Sequence, residues 1–256
     1  MPFLGKTGQL TVGSRGKKPV VVSSIPTSGL LVNLDASNAS SYGGSGTTWT
    51  TLTGNGYNGI LTNGPTYTAT SPSYFTLDGT DDYINIADAA ALRPGVGGTN
   101  AVTAIIWAYI TSYAAFDGII SKQYGAGSYD GFSLTFQTND RLTLNMNGGG
   151  VNGNYTSASN NVFSLNTWTM FTCVPRFGGG ATYPSKAYVN STEVISVSNA
   201  ESSIPVNTAP IRLASGIQEG SPYPACRIGS FYYYNRALTA AEISTIYNNT
   251  KTRFGL

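Results

Sequence analysis

Alternating hydrophobic and polar residues are the clearest pattern in this chain, and they predict β-strands. In residues 74–86, YFTLDGTDDYINI, Phe75 and Leu77 and then Ile84 and Ile86 occupy every second position. Two half-buried antiparallel strands require this spacing. The Asp-Gly-Thr-Asp between them predicts a turn, because Asp bonds nearby backbone groups and Gly accepts a positive φ without steric cost. The stretch therefore predicts a β-hairpin.

The same alternation recurs through most of the chain, separated by loops rich in Gly, Asn and Thr. Residues 147–161 have that loop composition and are predicted to be an exposed loop. The further predicted strands are Leu30–Leu34, Ala101–Tyr109, Ile119–Lys122, Phe132–Phe136, Arg141–Met146, Trp168–Cys173, Lys186–Asn190, Ile211–Leu213 and Arg227–Tyr233. So many short strands favour an all-β fold.

A single helix is predicted near the C-terminus. Thr239 and Glu242 have the T-x-x-E spacing of a capping box, in which each residue bonds the backbone N–H of the other. Ile243, Ile246 and Tyr247 follow at helical spacing and form one apolar stripe. We expect this helix to pack on the strands as a lid.

Residues 1–28 differ from the rest of the chain in charge and composition. They hold four basic residues and no acidic one, whereas the remainder has ten basic and twelve acidic residues. This predicts an extended basic N-terminal arm on a slightly acidic domain of residues 29–256. The three consecutive valines at positions 20–22 could add a strand to the sheet edge of a partner. The residues expected to anchor the arm are Lys6, Arg15, Lys17, Lys18, Val20, Val21 and Val22.

Length and composition fit one large β-sandwich domain. A chain of 256 residues buries roughly 70% of its unfolded surface, so it needs no disulfide or structural metal to be stable. Only 10% of its residues are charged, while it has 31 Gly and 17 Tyr. The two cysteines, Cys173 and Cys226, lie in apolar runs and are expected to be free buried thiols. A disulfide between neighbouring strands stays possible.

Histidine is absent from the sequence, which excludes several kinds of catalytic site. Ser-His-Asp and Cys-His machinery both need an imidazole, as does a His-ligated zinc site. Glycoside hydrolysis needs two facing carboxylates, and here the acidic residues are scattered. One cluster, formed by Asp78, Asp81, Asp82 and Asp88, lies in and after the predicted turn, where a structural role is favoured. We therefore expect no enzyme and assign no catalytic residue.

Calcium is the one metal ion to consider, because it binds carboxylate and carbonyl oxygens. Asp130, in a Tyr-Asp-Gly turn, and the pair Asp81 and Asp82 could supply such oxygens. No D-x-D-x-D-G loop occurs, so turn formation explains these residues better. No cofactor and no metal ligand are assigned.

Three stretches resemble the laminin-G-like members of the concanavalin A-like lectin/glucanase superfamily. They are the opening LDASNASSYGGSGTTWTTLTGNGYNGILTNGPTY, the stretch YFTLDGTDDYINI, and YYYNRALTAAEISTIYNN near the end. The resemblance extends from Gly29 to Asn249. It implies a two-sheet antiparallel jelly-roll sandwich with a short C-terminal helix. Members of this superfamily include lectins, glycanases and structural modules, and similar modules occur in bacteriophage virion proteins.

A sugar site is also predicted. Lectin sites combine an aromatic stacking face with Asn, Asp and backbone groups in a concave surface. The candidate carbohydrate-binding residues, in loops of that composition, are Tyr124, Tyr129, Asp130, Asn152, Asn154 and Tyr155.

These features lead to a first hypothesis, that of a non-enzymatic phage virion protein. It would be a capsid (head) decoration or fibre module, docked through its arm on a major capsid or tail protein, and a homo-oligomer. Four basic residues are too few to argue for nucleic acid. The N-terminus has no signal-like apolar region and no run reaches the ~18 residues of a membrane span, so we expect synthesis in the host cytoplasm and a virion location. The alternative is a carbohydrate-binding adhesin of a tail fibre or cell surface, ahead of a glycoside hydrolase.

Overall fold

Two antiparallel sheets packed face to face form the protein. The structure is a computed structural model that describes residues 25–95, 100–123, 130–148, 151–178, 183–198, 207–216 and 223–256. In chain order the strands are β1 (Leu30–Asp35), β2 (Thr48–Trp49), β3 (Gly59–Thr62), β4 (Thr66–Thr68), β5 (Tyr74–Leu77), β6 (Tyr83–Ile86), β7 (Thr103–Ser112), β8 (Gly118–Gln123), β9 (Gly131–Gln137), β10 (Arg141–Gly148), β11 (Val151–Thr156), β12 (Trp168–Val174), β13 (Ser185–Val189), β14 (Thr192–Val197), β15 (Ile211–Leu213) and β16 (Ala225–Tyr234). The all-β, two-sheet fold expected from the sequence is confirmed.

Each sheet has eight strands within the described part of the chain. The first sheet has the order β14-β13-β12-β7-β16-β5-β4. β5 pairs with the first half of β16, and β1 pairs with its second half. The second has the order β11-β10-β9-β8-β15-β6-β3-β2. Some neighbouring strands, such as β8 to β11, are consecutive in the chain, whereas others, such as β7 and β16, come from distant parts of it, as in a jelly roll.

The strands on either side of the 78–82 turn do not form a hairpin, contrary to the sequence prediction. β5 pairs with β4 and β16 in the first sheet, whereas β6 pairs with β3 and β15 in the second. The turn therefore carries the chain from one sheet to the other. The buried residues Phe75 and Leu77 then belong to one layer of the core, and Ile84 and Ile86 to the layer facing it. The alternation gave the correct buried side but not the correct partner strand.

The core between the sheets is rich in aromatic rings. Trp49 is completely buried, and its ring centroid lies 4.8 Å from that of Phe75. Phe136, Phe163 and Phe171 form a second group with centroid separations of 5.2 to 5.7 Å. Such close edge-to-face and tilted packing adds to the stabilisation from burial.

The C-terminal helix, α1 (Ala240–Thr250), is confirmed together with its capping box. Thr239 Oγ1 accepts from the Glu242 N–H, and the Glu242 carboxylate accepts from the Thr239 N–H. Ile243 and Ile246 are buried against the outer face of the first sheet. A 3-10 helix, Lys251–Phe254, follows, and another, Ala90–Leu92, precedes β7. Among the described residues, no helix combines the length and apolar composition needed to cross a bilayer.

The last residues of the predicted arm are attached to the domain near α1. Ile25 packs against the hydrophobic cluster beneath the helix. The Pro26 carbonyl accepts from the Tyr234 hydroxyl at 3.0 Å, and the Ser28 carbonyl accepts from Arg236 Nε at 2.8 Å. All seven predicted anchoring residues, from Lys6 to Val22, lie outside the described residues.

Two further sequence predictions have clear outcomes. Residues 147–161 are not simply an exposed loop, because β11 forms within them and pairs along its whole length with β10. Asn and Gly are poor strand formers, but the neighbouring strand supplies the pairing that their composition does not favour. Cys173 and Cys226 are both free and buried, and burial raises the pKa of the Cys173 thiol to about 12.

Candidate functional site

Polar side chains form a continuous row across the outer face of the second sheet. Each member is the direct register partner of the next. The members lie on six strands that are neighbours in the sheet, in the order β6, β15, β8, β9, β10 and β11. Neighbouring strands lie about 4.8 Å apart, so the row extends roughly 24 Å. We call this set the polar row: Asn85, Arg212, Ser121, Ser133, Asn145 and Asn154.

The row faces away from the core because side chains alternate across a strand. The chain neighbours of its members, such as Ile84, Ile120 and Leu134, belong to the hydrophobic core. The other members therefore point to the outer face. The sequence supplies this arrangement through its period-2 strands, in which one position of each pair is apolar and the other polar.

The centre of the row is recessed and its two ends are accessible. Ser121, Ser133 and Asn145 have exposures of 3%, 0% and 2%, whereas Asn154 is exposed and Arg212 partly so. The Asn145 amide donates to Ser133 Oγ at 3.0 Å and to Thr135 Oγ1 at 3.0 Å. The amide orientation is therefore fixed by neighbours. Only the polar groups at the two ends, on Asn85, Arg212 and Asn154, are accessible to bind hydroxyl groups of a ligand.

Aromatic rings stand beside one end of the row. The guanidinium carbon of Arg212 lies 5.1 Å from the ring centroid of Tyr83. The Tyr83 ring in turn stacks with Tyr223, with an interplanar angle of 19° and a centroid distance of 6.3 Å. Tyr83 is two residues from Asn85 on β6, so its ring lies on the same outer face. This end combines stacking surface, a cation and an amide.

The six sugar-binding residues predicted from the sequence are not brought together on one described surface. Asn154 is exposed and belongs to the polar row. The Tyr155 ring packs against the core on the opposite side of the strand, so it cannot share that surface. The Asp130 carbonyl accepts a short hydrogen bond from the Asn207 amide. Tyr124, Tyr129 and the Asn152 side chain lie outside the described residues.

Sequence reasoning missed the remaining members of the row. It looked for loops rich in Tyr and Asn, whereas these residues lie within strands. A usable signal existed: FSLTF, RLTLNMN and IRL each place polar residues at the alternate positions of a strand. Which of those positions become neighbours depends on sheet order, which the alternation does not contain.

A group of acidic side chains occupies the turn between β5 and β6. The carboxylate oxygens of Asp78, Asp81 and Asp82 lie within 4.8 Å of one another. Asp82 Oδ2 accepts from the Asp78 N–H at 3.1 Å, and Asp78 Oδ1 accepts from the Thr80 N–H at 2.8 Å. Burial raises the pKa of Asp82. The hydrogen bond from the Asp78 N–H lowers it, and the carboxylates of Asp78 and Asp81 raise it further. These bonds hold the turn, in keeping with the structural role expected of it; a calcium site here stays a prediction.

A shallow groove of about 470 Å³ lies at the end of the sandwich between the 112–115 and 138–140 loops. The Tyr113 hydroxyl donates to Asp140 Oδ1 at 2.8 Å and accepts from the Asp140 N–H at 3.0 Å. Burial raises the pKa of Tyr113. The polar groups of Tyr113 and Asp140 thus bond to each other.

The two-sheet fold agrees with a comparison against known families. A model of the concanavalin A-like lectin/glucanases superfamily matches residues 78–244, which is more than half of the chain. The chain belongs to the concanavalin A-like lectin/glucanase superfamily. No curated protein sequence matches it.

Solved structures with the same concanavalin A-like fold include toxin binding domains and a sialidase. The binding domain of Paraclostridial mosquitocidal protein 1 matches with a TM-score of 0.64 and 17% identity, covering 86% of this chain and 52% of that one. Botulinum neurotoxin type C, whose cell entry depends on two ganglioside molecules, matches with a TM-score of 0.63 and 15% identity, covering 86% and 51%. Trypanosoma rangeli sialidase in complex with sialic acid matches with a TM-score of 0.63 and 14% identity, covering 90% and 34%. The chain spans about half of each toxin chain and a third of the sialidase; at these identities they share the fold.

Proposed function

We propose that this protein is a non-enzymatic structural module of a bacteriophage particle that presents a glycan-binding face. The observation that carries the binding half of the proposal is the polar row, with Tyr83 and Arg212 at one end. A glycan has many hydroxyl groups and an apolar C–H face on each ring. The accessible ends of the row supply the amide groups of Asn85 and Asn154, and Tyr83 supplies a ring to stack on.

The glycan-binding half is tested by changing accessible members of the row. Asn154→Ala and Asn85→Ala each remove an amide that can hydrogen-bond to a sugar without opening the core. We expect each to weaken binding of the best ligand from a glycan array about fivefold, the cost of about one neutral hydrogen bond. Thr66→Ala, at an exposed position of the first sheet, is the matched control. Absence of any retained glycan, or equal affinity in all variants, would refute this half.

The particle half of the proposal rests on the N-terminal arm. Its charge and valine run suit docking against an acidic subunit or a free sheet edge. The contacts of Ile25, Pro26 and Ser28 with the domain support it, because an anchor needs a firm attachment where it enters the fold. The resemblance to phage structural modules is the second support. The partner would be a major capsid or tail protein, and the location a virion.

The test compares the full chain with a version lacking residues 1–24, which keeps the contacts of residues 25–28. Both are added to purified particles from which this protein has been stripped. We expect only the full chain to rebind, in a stoichiometric copy number. If neither version rebinds while both are retained on a glycan array, the protein is a free-standing adhesin instead.

A further inference from the structure

A second cluster of aromatic and cationic side chains lies on the outer face of the first sheet, on the opposite side of the sandwich from the polar row. Arg227 on β16 is the register partner of Tyr109 on β7, and Tyr109 is the partner of Trp168 on β12. Tyr74 on β5 is two residues from Thr76, the other partner of Arg227. We call these four residues, Tyr74, Tyr109, Trp168 and Arg227, the aromatic cluster.

The guanidinium of Arg227 is held between two rings. Its central carbon lies 5.0 Å from the Tyr74 centroid and 4.7 Å from the Tyr109 centroid. The Trp168 ring lies 5.8 Å from both tyrosine rings and closes one side of the group. Cation–π contacts of this kind fix the plane and position of a guanidinium before any ligand arrives.

The hydrogen-bonding groups of the cluster are open. Within the described part of the chain, Arg227 has no ion pair, and none of the four side chains has a hydrogen-bond partner. All four are partly exposed. The cluster therefore places a guanidinium, an indole and two phenols on one face of the sheet, and the Arg227 charge has no partner among the described residues.

Part of this outer face, next to the cluster, is covered by the C-terminal helices. Helix α1 and the following 3-10 helix bury Trp107 and Met170 on the same sheet. The Phe254 ring centroid lies 4.3 Å from that of Trp107, on which it stacks, and 4.9 Å from that of Trp168. The C-terminal helices therefore contact the aromatic cluster at Trp168 but do not cover it. The C-terminal helices and the residues packed beneath them thus border one side of the site.

We propose that the aromatic cluster binds an acidic sugar, with its carboxylate on Arg227 and the C–H face of its ring on Trp168. A planar guanidinium pairs with a carboxylate through two parallel hydrogen bonds. The remaining donors, Trp168 Nε1 and the phenol hydroxyls, need several acceptor oxygens, which a polyhydroxylated ring provides. A single acidic side chain of a protein would satisfy Arg227 alone. This site is separate from the polar row and does not depend on it.

Tryptophan fluorescence offers a specific readout of this site. The chain has three tryptophans, and Trp49 and Trp107 are completely buried whereas Trp168 is partly exposed. The full-length protein is titrated at low ionic strength with methyl glucuronide and with the methyl glycoside of N-acetylneuraminic acid. Each is compared with its carboxylate methyl ester, and N-acetylglutamate amide serves as a non-sugar carboxylate. Low salt matters because partly exposed charges are screened.

We expect at least one of the two acids to change the Trp168 fluorescence, with its ester and the glutamate derivative binding roughly tenfold weaker or worse. Arg227→Gln should lose about the same factor, and Arg227→Lys should recover only part of it because the planar fork is lost. Trp168→Phe should abolish the signal. Arg176→Gln is the matched control, because Arg176 also lies over a tyrosine, Tyr183, at 5.6 Å.

The possible results are separable. If neither acid changes the fluorescence, if the esters bind equally well, or if Arg227→Gln binds as the wild type does, the proposal is wrong. If the glutamate derivative binds as tightly as the sugars, the site is a carboxylate site for protein partners and the sugar assignment is wrong. Asn154→Ala, which tests the polar row, should leave this titration unchanged, so failure of one site does not imply failure of the other.

Discussion

Lys122 Nζ lies 2.8 Å from Asp88 Oδ1, and the lysine side chain is completely buried. The same nitrogen donates to the Ala209 carbonyl at 2.7 Å. Asp88 also accepts from Arg93 Nε at 2.9 Å. Burial lowers the pKa of Lys122, and the Asp88 carboxylate opposes that shift. The Lys122 ammonium thus joins the end of β8 to the segment before β7 and to Ala209, two residues before β15.

Loss of this buried ammonium should be costly. Lys122→Met keeps the length of the side chain but leaves the Ala209 carbonyl unpaired and Asp88 with Arg93 alone. We expect the free energy of unfolding, measured with urea, to fall by about 3 kcal/mol. Lys186→Met is the matched control, because Lys186 pairs with Glu193 at 2.7 Å in a partly exposed position. An equal effect of the two substitutions would contradict this interpretation.

The Asp82 carboxylate should destabilise the fold at neutral pH. Burial raises its pKa in the folded state, and the nearby Asp78 and Asp81 carboxylates add to this. The folded state therefore holds the proton more tightly than the unfolded state, and stability is lost as pH rises through the raised pKa. Asp82→Asn removes the charge, and its amide can still accept from the Asp78 N–H.

We expect Asp82→Asn to raise the melting temperature at about pH 7 and to have little effect at about pH 3, below the unfolded pKa of roughly 3.9. Asp81→Asn removes the same charge from an exposed position and should change the melting temperature less. A stabilisation by Asp82→Asn that is the same at both pH values would exclude titration of Asp82 as its cause.

The alternation of apolar and polar residues predicted the strands, and short-range chemistry predicted the helix cap, because both depend on residues close in sequence. The partner of β6 could not be predicted in this way. Phe75 and Ile84 bury the same side in a hairpin and in a crossover between sheets, so the pattern cannot distinguish the two.

The candidate sites depend on long-range register and were harder to predict. Asn85 and Arg212 are neighbours in the polar row although they are far apart in the chain. The search for loops rich in Tyr and Asn selected Asn154, which lies in the polar row, and Tyr155, which packs against the core. Composition identifies residue types that bind sugars, but only sheet order shows which of them share a face.

The capping box of α1 should contribute measurably at neutral pH. The Arg236 guanidinium and the Thr239 N–H hold the pKa of Glu242 at about 2. A lowered folded pKa gives stability that is present above the unfolded value of roughly 4.3 and is lost as pH falls toward the folded value. Thr239→Ala should cost about 1 kcal/mol at neutral pH, and Thr239→Ser, which keeps the hydroxyl, should cost much less. Glu242→Gln should destabilise at neutral pH but not at about pH 2.

Gly229 lies where the C-terminal helices meet the first sheet, and a side chain at this position should destabilise the fold. A Cβ there would lie 2.6 Å from Phe254 Cε1 and 3.4 Å from Trp168 Cζ3. Gly229→Ala must therefore displace Phe254 from its stack on Trp107, at a cost of about 1–3 kcal/mol in the free energy of unfolding.

A double-mutant cycle separates this steric effect from a change in β16 itself. Phe254→Ala removes the ring that the new methyl group would meet, so Gly229→Ala should cost far less in that background than in the wild type. Both costs are measured by urea unfolding of the four proteins. If the two substitutions were simply additive, the conflict would lie in the strand backbone and not in the contact between β16 and the lid.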